Sequence, residues 1–200
     1  MMKNITPKKF GFSREEKKHI LKAWIAISIA FSIAIRPFEY LTLSLLTSSI
    51  TIGFAFLLHE LAHKYLAIKY RCYAEFRANN NMLIFMLIMS IFGFIFAAPG
   101  AVQISGNVTK DKYGKIALVG PLTNILLAIF IFPFLFLNMG NILSVIFSFG
   151  FMINSWLALF NMLPILGFDG HKIFHWNKKV FYCMLGASIF LLVLMQVFNL

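Results

Sequence analysis

Charged side chains are scarce in this sequence. Asp, Glu, Lys and Arg make up 12% of its 200 residues, whereas hydrophobic residues make up 60%, and the mean hydropathy is +0.82. Soluble proteins are about 45–50% apolar, so this composition excludes an ordinary soluble domain. It predicts that the chain lies in a lipid bilayer. The length predicts a single membrane domain, and no repeat, low-complexity tract or soluble appended domain is visible.

Cysteine and acidic residues are also few. The two cysteines, Cys72 and Cys183, have neither disulfide nor zinc-finger spacing, so we expect no disulfide framework and no cysteine-based metal site. Seven acidic residues stand against 18 Lys and Arg, which gives a net charge of +11. The basic residues form short clusters between apolar segments, as in cytoplasmic loops of membrane proteins, so we expect no nucleic-acid partner.

Apolar runs dominate the rest of the chain. They lie at 20–35, 40–66, 82–98, 116–137, 142–163 and 180–199. The first is short for a membrane span, and we expect Lys22 and Arg36 to reach the two interfaces and Pro37 to turn the chain. The basic segment 1–19 is predicted to be a tail and not a cleavable signal peptide. The fold class is therefore an all-α polytopic membrane protein with about five transmembrane helices.

The distribution of basic residues predicts the orientation. They concentrate in the tail 1–19 and in 64–77, 110–115 and 172–179, whereas the turns near 36–39 and 138–141 carry only Arg36. Loops rich in Lys and Arg stay in the cytoplasm. We therefore expect a multi-pass protein of the cell membrane. Its N-terminus and the carboxyl end of its second helix would face the cytoplasm.

Two histidines and a glutamate end an apolar run, in the stretch IGFAFLLHELAHK (52–64). On a helix His59 and His63, four residues apart, share one face, and so can supply two ligands to a tetrahedral zinc ion. Glu60 is rotated about 100° from His59, and it takes the general-base position of H-E-x-x-H metalloproteases. The alternative is three interfacial side chains that reach the headgroups, which composition alone rarely produces.

A catalytic zinc site needs a third protein ligand and a position for water. Asp169 is the best candidate, because it follows an apolar span directly in NMLPILGFDGHK (161–172). Pro164 cannot continue a helix, and Gly167 and Gly170 let the backbone turn on both sides of the acid. Taken alone, Asp-Gly would be an ordinary turn. His171 and His175 lie four residues apart near Asp169, but no acid accompanies them, so solvated histidines are favoured over a second metal site.

These motifs resemble those of the site-2 protease family of intramembrane zinc metalloproteases. His59-Glu60-Leu61-Ala62-His63 within a span is followed downstream by Asn161, Pro164 and Asp169-Gly170 in the family's spacing. GPLTN (120–124) is similar to the family's G-P-x-x-N stretch, and PGAVQISG (99–106) resembles its membrane-associated β-hairpin. The resemblance covers about 40–176, within a single membrane metalloprotease domain at 20–200. Phe168 and His171 depart from the usual residues, the segment 82–98 is an insertion, and no PDZ or CBS domain is attached.

The resemblance implies one zinc ion, held by His59, His63 and Asp169, and an endopeptidase that cuts transmembrane helices of other proteins. Glu60 would be the general base. Asn124 and Asn161 are polar groups in apolar helices and are functional candidates. By analogy they would clamp the substrate backbone, and the alternative for each is an interhelical hydrogen bond.

Two other functions fit the residues less well. A metalloprotease with a later glutamate as ligand would have to use Glu75, which lies only 12 positions after His63. A proteolytically silent chaperone or scaffold that binds membrane helices is the non-enzymatic alternative, although silent relatives usually lose a ligand or the glutamate.

The segment 82–98 is long enough to be counted as a span, but topology argues against that interpretation. The spans 116–137 and 142–163 already return the chain to the side of His59 and His63, where Asp169 must lie. A third crossing would place Asp169 on the wrong face. Gly93 and Pro99-Gly100 offer places to break the helix. We therefore predict that 82–98 is a re-entrant segment.

Overall fold

The computed structural model describes residues 10–35, 40–95, 99–137 and 139–198. Lys3, Lys8 and Lys9 of the predicted tail, the turn with Arg36 and Pro37, and the last three residues of 82–98 lie outside these ranges. The described elements are α1 (Arg14–Ala34), α2 (Leu41–Ser48), α3 (Phe54–Lys69), β1 (Tyr73–Ala78), α4 (Asn80–Ile91), β2 (Gly100–Ser105), α5 (Lys110–Ile131), α6 (Asn141–Asn161), α7 (Asp169–Trp176) and α8 (Lys178–Val197).

Four helical segments of the described ranges are long and apolar enough to cross a membrane. They are Leu41–Lys69, Lys110–Phe136, Asn141–Asn161 and Lys178–Val197. The first joins α2 and α3 through a π-helical turn at Ser49–Gly53, and the second extends α5 by a 3₁₀ turn at Phe132–Phe136. The sequence predicted about five spans, and α1 accounts for the difference, because its first turns carry Arg14, Glu15, Glu16, Lys17 and Lys18.

Small residues bring the helices close together. One set of buried alanines lies on α1 and packs with the segment Leu41–Lys69 and the sheet: Ala23, Ala26 and Ala30. A second set lies on α5 and α6, in a core cluster shared with α7 and α8: Ala117, Ala128 and Ala158. Membrane helices associate through such close packing because lipid supplies no hydrophobic force between them. Large apolar side chains, among them Leu126, Phe130, Phe190 and Val193, point outward. That distribution fits a protein whose solvent is hydrocarbon.

A tryptophan fixes the π-helical turn that precedes α3. The Trp24 indole N–H donates to the Ser49 carbonyl oxygen at 3.1 Å. Gly53 leaves the space for this ring, because a Cβ there would lie 1.9 Å from the Trp24 Nε1 atom. A π-helical turn inserts an extra residue into a helix and shifts every residue after it. The turn therefore sets which face of α3 points into the protein.

The small sheet is built differently from the predicted local hairpin. Residues 99–106 supply one strand, β2, and its antiparallel partner is β1, from Tyr73↔Ser105 to Ala78↔Gly100. The predicted hairpin was confined to 99–106, and the strand at 73–78 was not predicted. The connection between the strands is long and contains α4, so the hairpin of the sequence analysis is corrected to two strands separated by a helix.

The two ends of the segment around α4 meet. The Asn79 N–H donates to the Pro99 carbonyl oxygen at 3.1 Å, next to the last pair of the sheet, Ala78↔Gly100. The helix itself has 12 residues, which corresponds to about 18 Å and is shorter than the hydrocarbon core of a bilayer. The two ends of the segment thus lie at one place in the structure, and its re-entrant topology stays a prediction.

A buried ion pair ties α1 to the end of α3. The Lys64 ammonium group donates to the Glu16 carboxylate, and both side chains are about 1% exposed. Lys64 also donates to the Gly11 carbonyl oxygen at 2.6 Å, and Glu16 accepts the Phe76 N–H of β1 at 2.9 Å. Lys64 directly follows His63, so this network fixes the carboxyl end of α3 against α1 and the sheet.

We expect Glu16→Leu alone to destabilise the protein by about 3–5 kcal/mol, because it leaves the Lys64 ammonium buried without its partner. The double variant Glu16→Leu/Lys64→Met should recover most of that loss, because no charge is then buried. Unfolding in mixed detergent micelles measures both. The exposed pair Glu15 and Lys18 is the control, and Lys18→Met should cause no measurable change. A double variant as unstable as Glu16→Leu would show that the ion pair is not the cause.

Candidate metal centre

The helix α3 presents His59 and His63 to one point inside the protein. Both imidazoles are buried, and their Nε2 atoms lie 3.0 Å apart. The His63 Nδ1 atom lies 2.7 Å from the Ile116 carbonyl oxygen on α5. Because a carbonyl oxygen can only accept, Nδ1 must carry the proton, and the Nε2 atom keeps its lone pair. The His63 ring is thus held in the tautomer that binds a metal through Nε2.

Asp169 completes the cluster from the first turn of α7. After α6 ends at Asn161, the chain turns through Pro164 and Gly167, where Gly167 has a φ of 104°. Gly170, expected to loosen the turn, is instead helical and closely packed, because a Cβ there would lie 2.3 Å from the Met162 carbonyl oxygen. This packing places the Asp169 Oδ2 atom 3.2 Å from His59 Nε2 and 3.0 Å from His63 Nε2.

The three ligand atoms fit a zinc ion. A tetrahedral site with bonds of about 2.0–2.1 Å separates its ligands by about 3.3 Å, close to the 3.0–3.2 Å between these atoms. Two imidazole lone pairs and a carboxylate oxygen that face one another repel, and a cation between them would remove that repulsion. Within the described ranges, these residues form the group of His, Cys, Asp and Glu that could hold a metal ion.

Gly120 leaves the space that such a cation needs. A Cβ at this position on α5 would lie 2.3 Å from His63 Nε2 and 2.6 Å from His59 Nε2. Any other residue would therefore place its Cβ atom against the Nε2 atoms of both histidines. The next residue, Pro121, has no N–H for the Ala117 carbonyl, which interrupts the helix hydrogen bonds beside Ile116. The GPLTN stretch thus shapes one wall of the site.

Lys172 orients the third ligand. Its ammonium group donates to Asp169 Oδ1 at 2.9 Å, so the other carboxylate oxygen, Oδ2, faces the imidazoles. Burial raises the pKa of the Asp169 carboxyl, but His63, His59 and Lys172 together lower that pKa well below its usual range. The carboxylate is therefore ionised, as a metal ligand must be. Lys172 was not singled out in the sequence.

Glu60 lies beside the cluster and contacts the sheet. Its carboxylate is buried, and the Oε2 atom accepts the Val102 N–H of β2 at 3.0 Å. A small apolar cavity of about 10 Å³ adjoins it, lined by side chains that include Phe56, Leu61 and Phe76. The predicted general base is thus held in place by the edge of β2, a contact that the sequence did not indicate.

The two predicted asparagines have different surroundings. Asn124 is fully buried, and its Oδ1 atom lies 2.6 Å from His59 Nδ1. Asn161 is partly buried at the end of α6 and donates to the Leu157 carbonyl oxygen of its own helix at 2.9 Å. Their role in binding substrate stays a prediction. The structure adds Asn154, two helical turns before Asn161, which the sequence analysis missed although it is also an Asn in an apolar helix.

Two alternatives lose support from the structure. Glu75, the alternative metal ligand, accepts hydrogen bonds from Ser13, Tyr73 and Arg77. Burial raises the pKa of Glu75, but these hydrogen bonds lower it to about 2. The Glu75 side chain therefore stabilises the region of β1 and is not a member of the metal cluster. His175 bonds to the His171 carbonyl oxygen at 2.8 Å and is exposed, and in the described part of the chain no third ligand joins this pair.

The fold and the site define the class of this protein. It is a membrane protein whose apolar helices enclose two histidines and an aspartate arranged for a metal ion. A curated protein of Methanocaldococcus jannaschii, named "putative zinc metalloprotease", is 42% identical over 174 residues, which cover 86% of this chain and 89% of that protein. The chain belongs to the family of that protein. No protein-family model matches the chain. No solved structure matches it either.

Proposed function

We propose that the protein is an intramembrane zinc endopeptidase that hydrolyses peptide bonds within or near transmembrane helices of other proteins. One observation carries the proposal: a buried His-His-Asp cluster takes its two histidines, and the glutamate beside them, from a helical segment that is long and apolar enough to cross the membrane. The named relative supports the metalloprotease chemistry. Ionisable residues inside a membrane segment are costly and usually functional.

The metal ligands and the glutamate would have separate roles in hydrolysis. His59, His63 and Asp169 would hold one zinc ion, which when bound supplies a Lewis acid that polarises the scissile carbonyl and lowers the pKa of water. Glu60 takes the proton of the attacking water and delivers it to the leaving amine. We assign the proton to Oε1, since Oε2 accepts the Val102 N–H. The substrate helix must unwind first, because its backbone groups are bonded internally.

A comparison of membrane fragments tests this function. Cells with the wild-type protein should accumulate new peptide termini inside apolar segments of membrane proteins, and cells with Glu60→Gln should not. Both forms of the protein must be present at equal levels. New termini confined to soluble loops would contradict the intramembrane site of cleavage, while an identical set of fragments in both cells would contradict proteolysis by this protein.

We further propose that the segment around α4 enters and leaves the membrane on the cytoplasmic side, the side of the N-terminus and of the carboxyl end of α3. Single cysteines at Asn81 and Asn107, which are both exposed, should then react with a membrane-impermeant thiol reagent from the same face of sealed vesicles. These single-cysteine variants are made in a protein in which Cys72 and Cys183 have been replaced by alanine. A cysteine at Asn141, the first residue of α6, is the control and should react only from the opposite face.

Reaction of the two test positions from opposite faces would show that the segment spans the membrane. Reaction of both test positions from the outer face, with Asn141 reacting from the cytoplasmic face, would show that the orientation is reversed.

A further inference from the structure

Two amide side chains connect the metal cluster to the backbone of α6. Asn124 Oδ1 lies 2.6 Å from His59 Nδ1, Asn124 Nδ2 donates to Asn154 Oδ1 at 3.0 Å, and Asn154 Nδ2 donates to the Gly150 carbonyl oxygen at 2.8 Å. Both asparagines are at most 3% exposed. Such buried amide chains in an apolar helix bundle need a reason, because each unpaired polar group is costly there.

The direction of these hydrogen bonds is set at the Gly150 end. A backbone carbonyl oxygen can only accept, so the Asn154 group that faces Gly150 must be the NH₂, and Asn154 must turn its oxygen toward Asn124. Asn124 must then turn its NH₂ toward Asn154, where it also lies 3.4 Å from the Ala55 carbonyl oxygen. The Asn124 oxygen is left to face His59, and as an acceptor it requires that His59 Nδ1 carries the proton and donates the hydrogen bond.

We propose that Asn154 is a positioning residue that acts through Asn124 to hold His59 in the tautomer with its proton on Nδ1. The Nε2 atom then offers its lone pair to the metal. His63 obtains the same tautomer directly from the Ile116 carbonyl oxygen. His59 instead depends on the side-chain amide of Asn124, which could flip and exchange the positions of its oxygen and its NH₂ group. The hydrogen bond to Asn154 prevents that flip. The inference rests on the proposed zinc site and extends it to a residue of α6.

The affinity for zinc tests this role without an activity assay. In the purified full-length protein, competition with a chelator should show that Asn154→Leu loses about 10–100-fold in zinc affinity, the usual effect of losing an outer partner of a ligating histidine. The matched control is Ser155→Ala, which removes an equally buried side chain that bonds to the Phe151 carbonyl oxygen of its own helix. Its zinc affinity should stay within about twofold of wild type, as expected away from ligand partners.

A rescue variant separates positioning from packing. An aspartate at position 124 is an acceptor on both oxygens, so it accepts from His59 whatever lies behind it. In the background Asn124→Asp, the further change Asn154→Leu should therefore alter zinc affinity by less than about twofold, since coupled sites are not additive. The visible absorption of the cobalt-substituted protein, which reports ligand geometry, should also shift in Asn154→Leu and not in Ser155→Ala.

Three results would overturn the inference. The first is a zinc affinity of Asn154→Leu within twofold of wild type. The second is an equal loss in the wild-type and Asn124→Asp backgrounds, which would assign Asn154 to packing. In the third, Asn154→Leu does not fold, and Asn154→Asp, which keeps the acceptor for the Asn124 NH₂ group and should therefore keep wild-type affinity, loses more than about twofold. Full zinc retention by a His59→Ala/His63→Ala variant would instead reject the metal site itself, so the two failures are distinguishable.

Discussion

Replacement of Glu60 by glutamine is expected to abolish detectable peptide hydrolysis while zinc stays bound. Glutamine has nearly the same shape but cannot take a proton from water, and general acid–base catalysis typically contributes about 10²–10⁴-fold to a rate. Glutamine keeps an amide oxygen that can accept the Val102 N–H, so the contact with β2 should survive. Turnover of a purified transmembrane substrate and zinc content per chain are the two measurements.

The control for Glu60→Gln is the same substitution at Glu15 on α1, Glu15→Gln. The Glu15 side chain is exposed and pairs with Lys18 on its own helix. It should leave both measurements unchanged. Activity of Glu60→Gln within tenfold of wild type would remove Glu60 from the general-base role. A wild-type protein that binds zinc and transmembrane helices but cuts none of them would favour the silent chaperone or scaffold instead.

Substitution of Gly120 by alanine is expected to remove zinc almost completely. The added Cβ would lie 2.3 Å from His63 Nε2 and 2.6 Å from His59 Nε2, in the space where a cation must contact both atoms. Neither side can yield easily, because the glycine belongs to α5 and the imidazoles are tied by their Nδ1 atoms to Asn124 and Ile116. Zinc content by mass spectrometry of the metal, together with chelator competition, measures the effect.

The matched control is Gly186→Ala in α8, where a Cβ would meet no atom within 4 Å. Glycine in a helix interior costs about 0.5–1 kcal/mol relative to alanine, so this variant should be slightly more stable and should keep its zinc. The double variant His59→Ala/His63→Ala defines the zinc-free baseline. Wild-type zinc content in Gly120→Ala would mean that the metal lies elsewhere, for example displaced toward Asp169.

The helical segments could be predicted because hydropathy is a local property. The apolar runs from 40–66 to 180–199 correspond to helices in the structure, and the largest differences are the end of α4 at Ile91 and the start of α5 at Lys110. The strand pairing could not be predicted, because β1 and β2 are separated by α4 and no short-range turn signal links them. The count of about five spans stays a prediction, because α1 combines a charged first half with an apolar second half and is not among the four candidate spans of the described residues.

The site was predictable to a different extent for each residue. The spacing of His59 and His63 identifies a shared helix face by itself, and Asp169 followed from the few acids available. Asn154, Lys172 and the Val102 N–H were missed, because a role for each depends on a partner that the local sequence pattern does not reveal. An Asn, a Lys or a backbone amide occurs in many sequences, and only its neighbour in space gives it a role.

The amino-acid sequence by itself therefore determined the apolar character of the chain, its helical class and the pair of histidines that share one face of α3, because these depend on composition and on the fixed geometry of a helix. Only the tertiary structure decided how the ligands are oriented. The tautomers of His59 and His63 depend on Asn124 and on the Ile116 carbonyl oxygen, and the space between them depends on Gly120. Those contacts join α3 to α5, and hydrogen-bond direction across two helices is set by their packing and not by the order of residues along either one.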